Sequence, residues 1–138
     1  GWAVYSKSKL VASGIITLPR MKSIPERLRA LNRAMVKLHA EYQADVLVYE
    51  EIPAQRHGMG NAGAHSSLLK ALGVILSAPG PTGYVGIHPV SWKALVSDQY
   101  EKGDEADARE IGRIVIQHAW EQLEELKQEP KQKKGKKK

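Results

Sequence analysis

Val46-Leu47-Val48-Tyr49-Glu50-Glu51 decides how this chain folds. Its first four residues form an unbroken apolar and aromatic run, which predicts a strand over 46–49 covered on both faces, as in the interior of an α/β sheet. The run ends abruptly in two carboxylates, at the end of a strand where open α/β sheets place their sites. Working back toward the N-terminus, 3–5 and 10–18 read as two short strands joined by the polar turn Ser6-Lys7-Ser8-Lys9, the second rich in β-branched residues. Ser23, with Pro25 inside the first turn and Glu26 three residues on, opens a helix by a capping-box pattern. Leu28, Leu31, Met35 and Leu38 then recur at helical spacing, with Arg27, Arg29 and Arg33 off that stripe. Working forward, a loop with Pro53, Gly58 and Gly60 leads into a helix over 61–77 that Pro79-Gly80-Pro81 ends. A short strand over 84–87, a helical turn from Pro89 and a last helix from Asp104 complete the pattern. No repeat is visible, and strands followed by alternating helix and strand predict one α/β domain with a mixed sheet.

The 138 residues suit a single domain able to bury a core of its own. The absence of cysteine excludes disulfides, thiolate metal sites and thiol nucleophiles and fits a reducing cytoplasm, while no long apolar stretch marks a membrane span. The net charge of +6 is not spread evenly: 127–138 hold seven lysines against one glutamate, so 1–126 are electrically balanced. The expected division is a folded body over 1–126 and a disordered lysine-rich tail over 127–138. Such an arm either holds phosphates through counterion release or is a solubilising extension.

Chemistry gathers around three acids. Glu50 ends the buried strand; Asp104 and Asp107 are spaced i, i+3, so both project from one face of a helix's first turn. Acids there also complement the helix dipole, but one carboxylate suffices as a cap. Three hard oxygen ligands suit Mg²⁺ or Mn²⁺, and a pair of such ions about 4 Å apart serves phosphodiester hydrolysis. With no cysteine, no G-x-S-x-G elbow and no P-loop, metal-assisted hydrolysis is the chemistry left for these residues.

Gly1-Trp2-Ala3-Val4-Tyr5, then Val46 to Glu51, then Asp104-Glu105-Ala106-Asp107-Ala108 occur in the order seen in the RuvC family of Holliday-junction resolvases. The chain resembles that family, of the RNase H-like superfamily, from Gly1 to about Trp120, and is most similar to its short phage or prophage versions. The resemblance implies an RNase H-like mixed sheet flanked by helices. It further implies a homodimeric, Mg²⁺-dependent endonuclease that nicks four-way or branched DNA symmetrically, in the cytoplasm of a bacterial or phage-infected cell. Glu50, Asp104 and Asp107 match three of the family's four acidic ligands. The fourth, an Asp on the family's first and central strand, has no counterpart before Asp45. A chain that is a fragment lacking that strand is the expected explanation, because losing it would expose ladder groups and core.

Further candidates follow. Lys93 matches a lysine of the family's pre-loop segment, and Lys102 is placed to approach the scissile phosphate, although 94–103 are short for the family's loop and helix. Arg56 and His57, just past Glu50, are candidates for DNA contact, and Pro53 stands near the position of an aromatic wedge in the family. Glu51 and Glu105 should point away from their ligand neighbours. Trp92 and Trp120 read as packing residues, His118 as a core or interface histidine, and the apolar 61–77 helix as either core or dimer face. Two other readings stay open: an RNase H-like module that binds DNA without cutting, and a nuclease of the same chemistry on another nucleic acid.

Overall fold

A computed structural model of the protein describes residues 1–20, 22–53 and 62–128. Its elements run β1 (Trp2–Ser6), β2 (Lys9–Gly14), α1 (Ile24–Tyr42), β3 (Val46–Glu50), α2 (Ala62–Ser77), β4 (Gly83–Ile87), α3 (Pro89–Lys93) and α4 (Asp104–Gln128). The architecture is mixed α/β with small sheets. No helix among the described residues is long and apolar enough to cross a membrane.

β1 and β2 form an antiparallel hairpin whose two-residue loop, Lys7-Ser8, holds both residues at positive φ, 49° and 69°. That is the geometry whose twist matches paired strands. A register shift between Val4 and Tyr5 follows, with Val4 opposite Ala12 and Tyr5 opposite Leu10. β2 ends at Gly14, short of the expected 10–18 strand. β3 and β4 pair in parallel, in register from Val46–Gly83 to Glu50–Ile87, with α2 lying between them in the chain.

α1 begins as its capping box predicts. Ser23 accepts a hydrogen bond from the Glu26 N–H at 3.4 Å, and Pro25 sits in the first turn. The helix ends where Gln43 turns left-handed and returns its N–H to the His39 carbonyl at 2.9 Å.

Two cores lie on opposite faces of β3. On one face Leu31 and Met35 of α1 meet Ala78, with Leu47, Val74 and Ile75 against them. On the other, Trp92 of α3 packs with Ile111 and Ile114 of α4, joined by Val48, Ile87 and Tyr100. The alternation of Leu47 and Val48 is the two-residue period of a strand. Each large apolar side chain buried this way is worth about 1.5–3 kcal/mol.

Two expectations are met only in part. Among the described residues the strands form two separate two-stranded sheets, one antiparallel and one parallel, where one mixed sheet was expected. An isolated two-stranded sheet is marginal by itself; here α4 packs against β1, β2 and β3 and holds both pairs. Nor is 46–49 fully covered. Val46 is 52% exposed and the next three residues are half-buried. Among the described residues β3 pairs with β4, and Val46 lacks the cover of a sheet interior.

α4 approaches the hairpin closely at Gly112. A Cβ there would meet the Tyr5 ring at 2.5 Å, so only glycine lets that ring lie on the helix. The Tyr5 hydroxyl then donates to the Arg109 carbonyl at 2.6 Å. His39 is buried against the first core with Nε2 lacking a partner, and burial lowers its pKa.

Candidate metal centre

Glu50 and Asp107 come from distant parts of the chain and are linked through side chains of the second core. The period of β3 puts Glu50 on the same face as Val48, beside Ile87 across the ladder. There the Trp92 indole N–H donates to Glu50 Oε2 at 2.5 Å. Trp92 is wholly buried, so its N–H needs an acceptor, and the strand-ending carboxylate is the one it finds. Trp92 meets Tyr100 edge to face, centroids 6.2 Å apart. The Tyr100 hydroxyl in turn donates to Asp107 Oδ1 in the first turn of α4. Glu50, Trp92, Tyr100 and Asp107 thus form one continuous chain of contacts.

The electrostatics follow from this arrangement. The Tyr100 hydroxyl is pushed up to about 12, first by its hydrogen bond to Asp107, then by burial and by the charges of Asp107, Glu110 and Glu50. Losing its proton would place a phenolate among three carboxylates, so Tyr100 stays a donor across ordinary pH. Glu50 Oε1 and Asp107 Oδ2 accept no hydrogen bond among the described residues. Each carboxylate is therefore oriented through one oxygen and open at the other.

The segment carrying Tyr100 is itself anchored to α4. Glu110 accepts from the Ser97 hydroxyl at 2.8 Å and the Ser97 N–H at 3.3 Å, and Arg113 pairs with Glu110 at 2.8 Å while donating to the Leu95 carbonyl at 3.0 Å. Burial alone would raise the Glu110 pKa; the hydrogen bonds from Arg113 and Ser97 and the charge of Arg113 outweigh it, and the pKa is lowered. A cleft of about 310 Å³ lined by Ser8, Arg113, Gln117 and Glu121 lies away from these acids and contains neither Glu50 nor Asp107.

Asp104 begins α4, exposed, one turn before Asp107. Gly1 is packed so tightly on the Asp104 carbonyl that a Cβ at Gly1 would overlap it, which sets the start of β1 against the first turn of α4. The two neighbouring acids point elsewhere. Glu105 turns to β2, accepting from the Ser13 hydroxyl at 2.6 Å. Glu51, one residue on from Glu50, lies over Gly86 beside Tyr49. Lys93 is exposed, with Nζ 5.7 Å from the centre of the Trp92 ring. Lys102 is exposed two residues before Asp104. Arg56, His57, the Trp120 side chain and 129–138 lie outside the described residues. His118 is exposed, so of the two expectations for it, core or interface, the core one is corrected.

Two functional candidates were not legible in the sequence. Trp92 reads as packing, yet it carries the donor that orients Glu50. Tyr100 gave no signal beyond being an aromatic with a donor in the short segment before the acidic helix turn.

The donor set suits a hard divalent cation in kind, all carboxylate oxygen. In arrangement it falls short of a complete shell: among the described residues no group of three acids or histidines is gathered closely enough to hold an ion. Glu50 and Asp107 are joined through Trp92 and Tyr100; Asp104 lies one turn before Asp107. No protein-family model matches the chain, and no curated protein matches it either.

Proposed function

We propose that this chain carries part of the active site of a RuvC-type, RNase H-like endonuclease that cuts four-way or branched DNA with Mg²⁺ or Mn²⁺. The observation that supports this reading is the chain of contacts from Glu50 through Trp92 and Tyr100 to Asp107, each carboxylate keeping one open oxygen. Glu50 and Asp107 would hold the cation, with Asp104 the nearest further ligand. A divalent cation bound there supplies activation of water and stabilisation of the leaving oxygen. The protein's own part is orientation. Trp92 and Tyr100 fix one oxygen of each carboxylate, which is how neighbours around a metal ligand raise its effectiveness, and Lys93 brings positive charge toward an approaching phosphate. Two strand pairs that share α4 without sharing a ladder also suit the resemblance, in which the strand bearing the fourth acid runs between them.

A second reading has its own observation. Because no three acids are gathered among the described residues, the chain also suits a module that binds branched DNA without cutting it. One assay separates the two. Labelled four-way junction and linear duplex of the same arm sequence are incubated in Mg²⁺ and in Mn²⁺ with the chain and with a version extended by a strand that bears the family's fourth acid. The expected result for the extended version is paired nicks in opposed strands at the branch point, with the linear duplex intact. Junction binding by the extended version with no nick in either metal would contradict the nuclease reading and favour the second.

A further inference from the structure

α1 carries a feature that neither its packing nor the carboxylate site uses. Arg29, Arg33 and Lys37 fall at i, i+4 and i+8, which lines them up along one face of the helix. That face is turned away from Leu31, Met35 and His39, the residues the helix buries, and all three cations are exposed. None makes an ion pair or a hydrogen bond among the described residues. Glu26, the acid on the same face, is already taken by Lys22 at 3.9 Å. Glu41, the other acid of α1, makes no ion pair with Lys37.

A merely solvated helix face usually alternates sign, because opposite charges at i, i+4 support the helix and like charges weaken it. Here cation follows cation twice in succession, and none of the three has an ion-pair partner among the described residues. The body over 1–126 has no net charge, so the excess is local to this face. Capped at both ends, α1 holds the three cations at fixed spacing. At about 1.5 Å rise per residue the stripe spans about 12 Å. Successive phosphates of one DNA strand are further apart than the axial rise of about 3.4 Å because the backbone winds around the axis, so a stripe of that length reaches about two or three of them.

We propose that the outward face of α1 binds the phosphate backbone of duplex DNA through Arg29, Arg33 and Lys37. This deepens the reading of the protein as acting on DNA and rests on it for the choice of polyanion. The contact is separate from the carboxylates: α1 packs on the Leu47 face of β3, and Glu50 lies on the Val48 face. A branched substrate has arms that leave the point of cutting, and this face suits one such arm. The stripe reads charge and not sequence.

The test uses linear duplex and no divalent cation, so it does not depend on cleavage. Wild-type chain and the triple variant Arg29→Gln, Arg33→Gln, Lys37→Gln are titrated with fluorescent duplex at several salt concentrations. Each phosphate contact contributes about 0.9 to the slope of log K against log salt, so the triple variant is expected to lose about 2–3 from that slope. The lysine-rich 127–138 segment is present in both proteins and cancels in the comparison. The single variant Arg33→Gln, expected to lose about 0.9, guards against a folding effect in the triple variant. Slopes within about 0.5 of wild type for both variants would overturn the proposal. Should the extended version fail to cut junctions while the slope falls as expected, the nuclease reading fails and the α1 contact stands; cutting with an unchanged slope gives the reverse.

Discussion

Replacing Glu50 by Gln, or Asp107 by Asn, in the version extended by the strand with the fourth acid is expected to lower junction cleavage by about a thousandfold or more while leaving junction binding intact. Cation stabilisation of the reacting oxygens is worth several kcal/mol, and each 1.36 kcal/mol is a factor of ten in rate. The substitutions are chosen to spare the scaffold. Gln at 50 still offers an acceptor to the Trp92 N–H, and Asn at 107 still offers one to the Tyr100 hydroxyl. What each removes is the charge on the open oxygen. Single-turnover cleavage in Mg²⁺ alongside a gel-shift titration checks both halves of the expectation. Cleavage by either variant at the wild-type rate would remove that residue from the site.

Trp92 should give the largest loss of stability of any single side chain in the second core. It is wholly buried, contacts Ile111, Ile114 and Tyr100, and donates to Glu50. Trp92→Ala removes its packing and leaves a cavity, a change that costs about 3–5 kcal/mol. It also strips Glu50 Oε2 of its partner. Trp92→Phe keeps most of the apolar contact and gives up the N–H, so its loss is expected to be about 1.5–3 kcal/mol, the range for a hydrogen bond to a charged group. Urea unfolding of the two variants beside wild type measures both values. A Trp92→Ala cost below about 1 kcal/mol would mean that α3 and α4 are not held together through this residue.

Much of this arrangement was legible from residue pattern. The capping box at Ser23, the turn at Lys7-Ser8, the proline stop after α2 and the helix start at Asp104 each depend on local chemistry that a few neighbouring residues settle. The same holds for the opposite directions of Glu50 and Glu51, since strand alternation is a local rule. What pattern could not give was tertiary. The continuous run over 46–49 predicts cover on both faces, but the cover any strand receives depends on which strands lie beside it. Among the described residues β3 pairs with β4, and Val46 is left half exposed. Likewise 10–18 has strand composition throughout, yet pairing with β1 ends at Gly14, opposite Trp2, and Ile15 and Thr17 have no partner strand to extend along.

The site divided in the same way. Glu50 and the two aspartates were marked by their positions at a strand end and a helix start. The roles of Trp92 and Tyr100 were hidden because they arise from contacts across the second core, Trp92 with Glu50 and Tyr100 with Asp107, that only the packing of α3 and α4 brings about. An indole buried beside a strand-ending carboxylate cannot be told from an indole buried among leucines until the elements are placed.

The central claim is that Glu50 and Asp107 together make a site for a divalent cation. Titration of the full chain with Mn²⁺, followed by the loss of the free-ion electron paramagnetic resonance signal, tests it without reference to DNA or to cleavage. Saturable binding by wild type that is lost in Glu50→Gln and in Asp107→Asn is the result predicted. Equal Mn²⁺ uptake by wild type and both variants, or no saturable uptake by any of them, would contradict it.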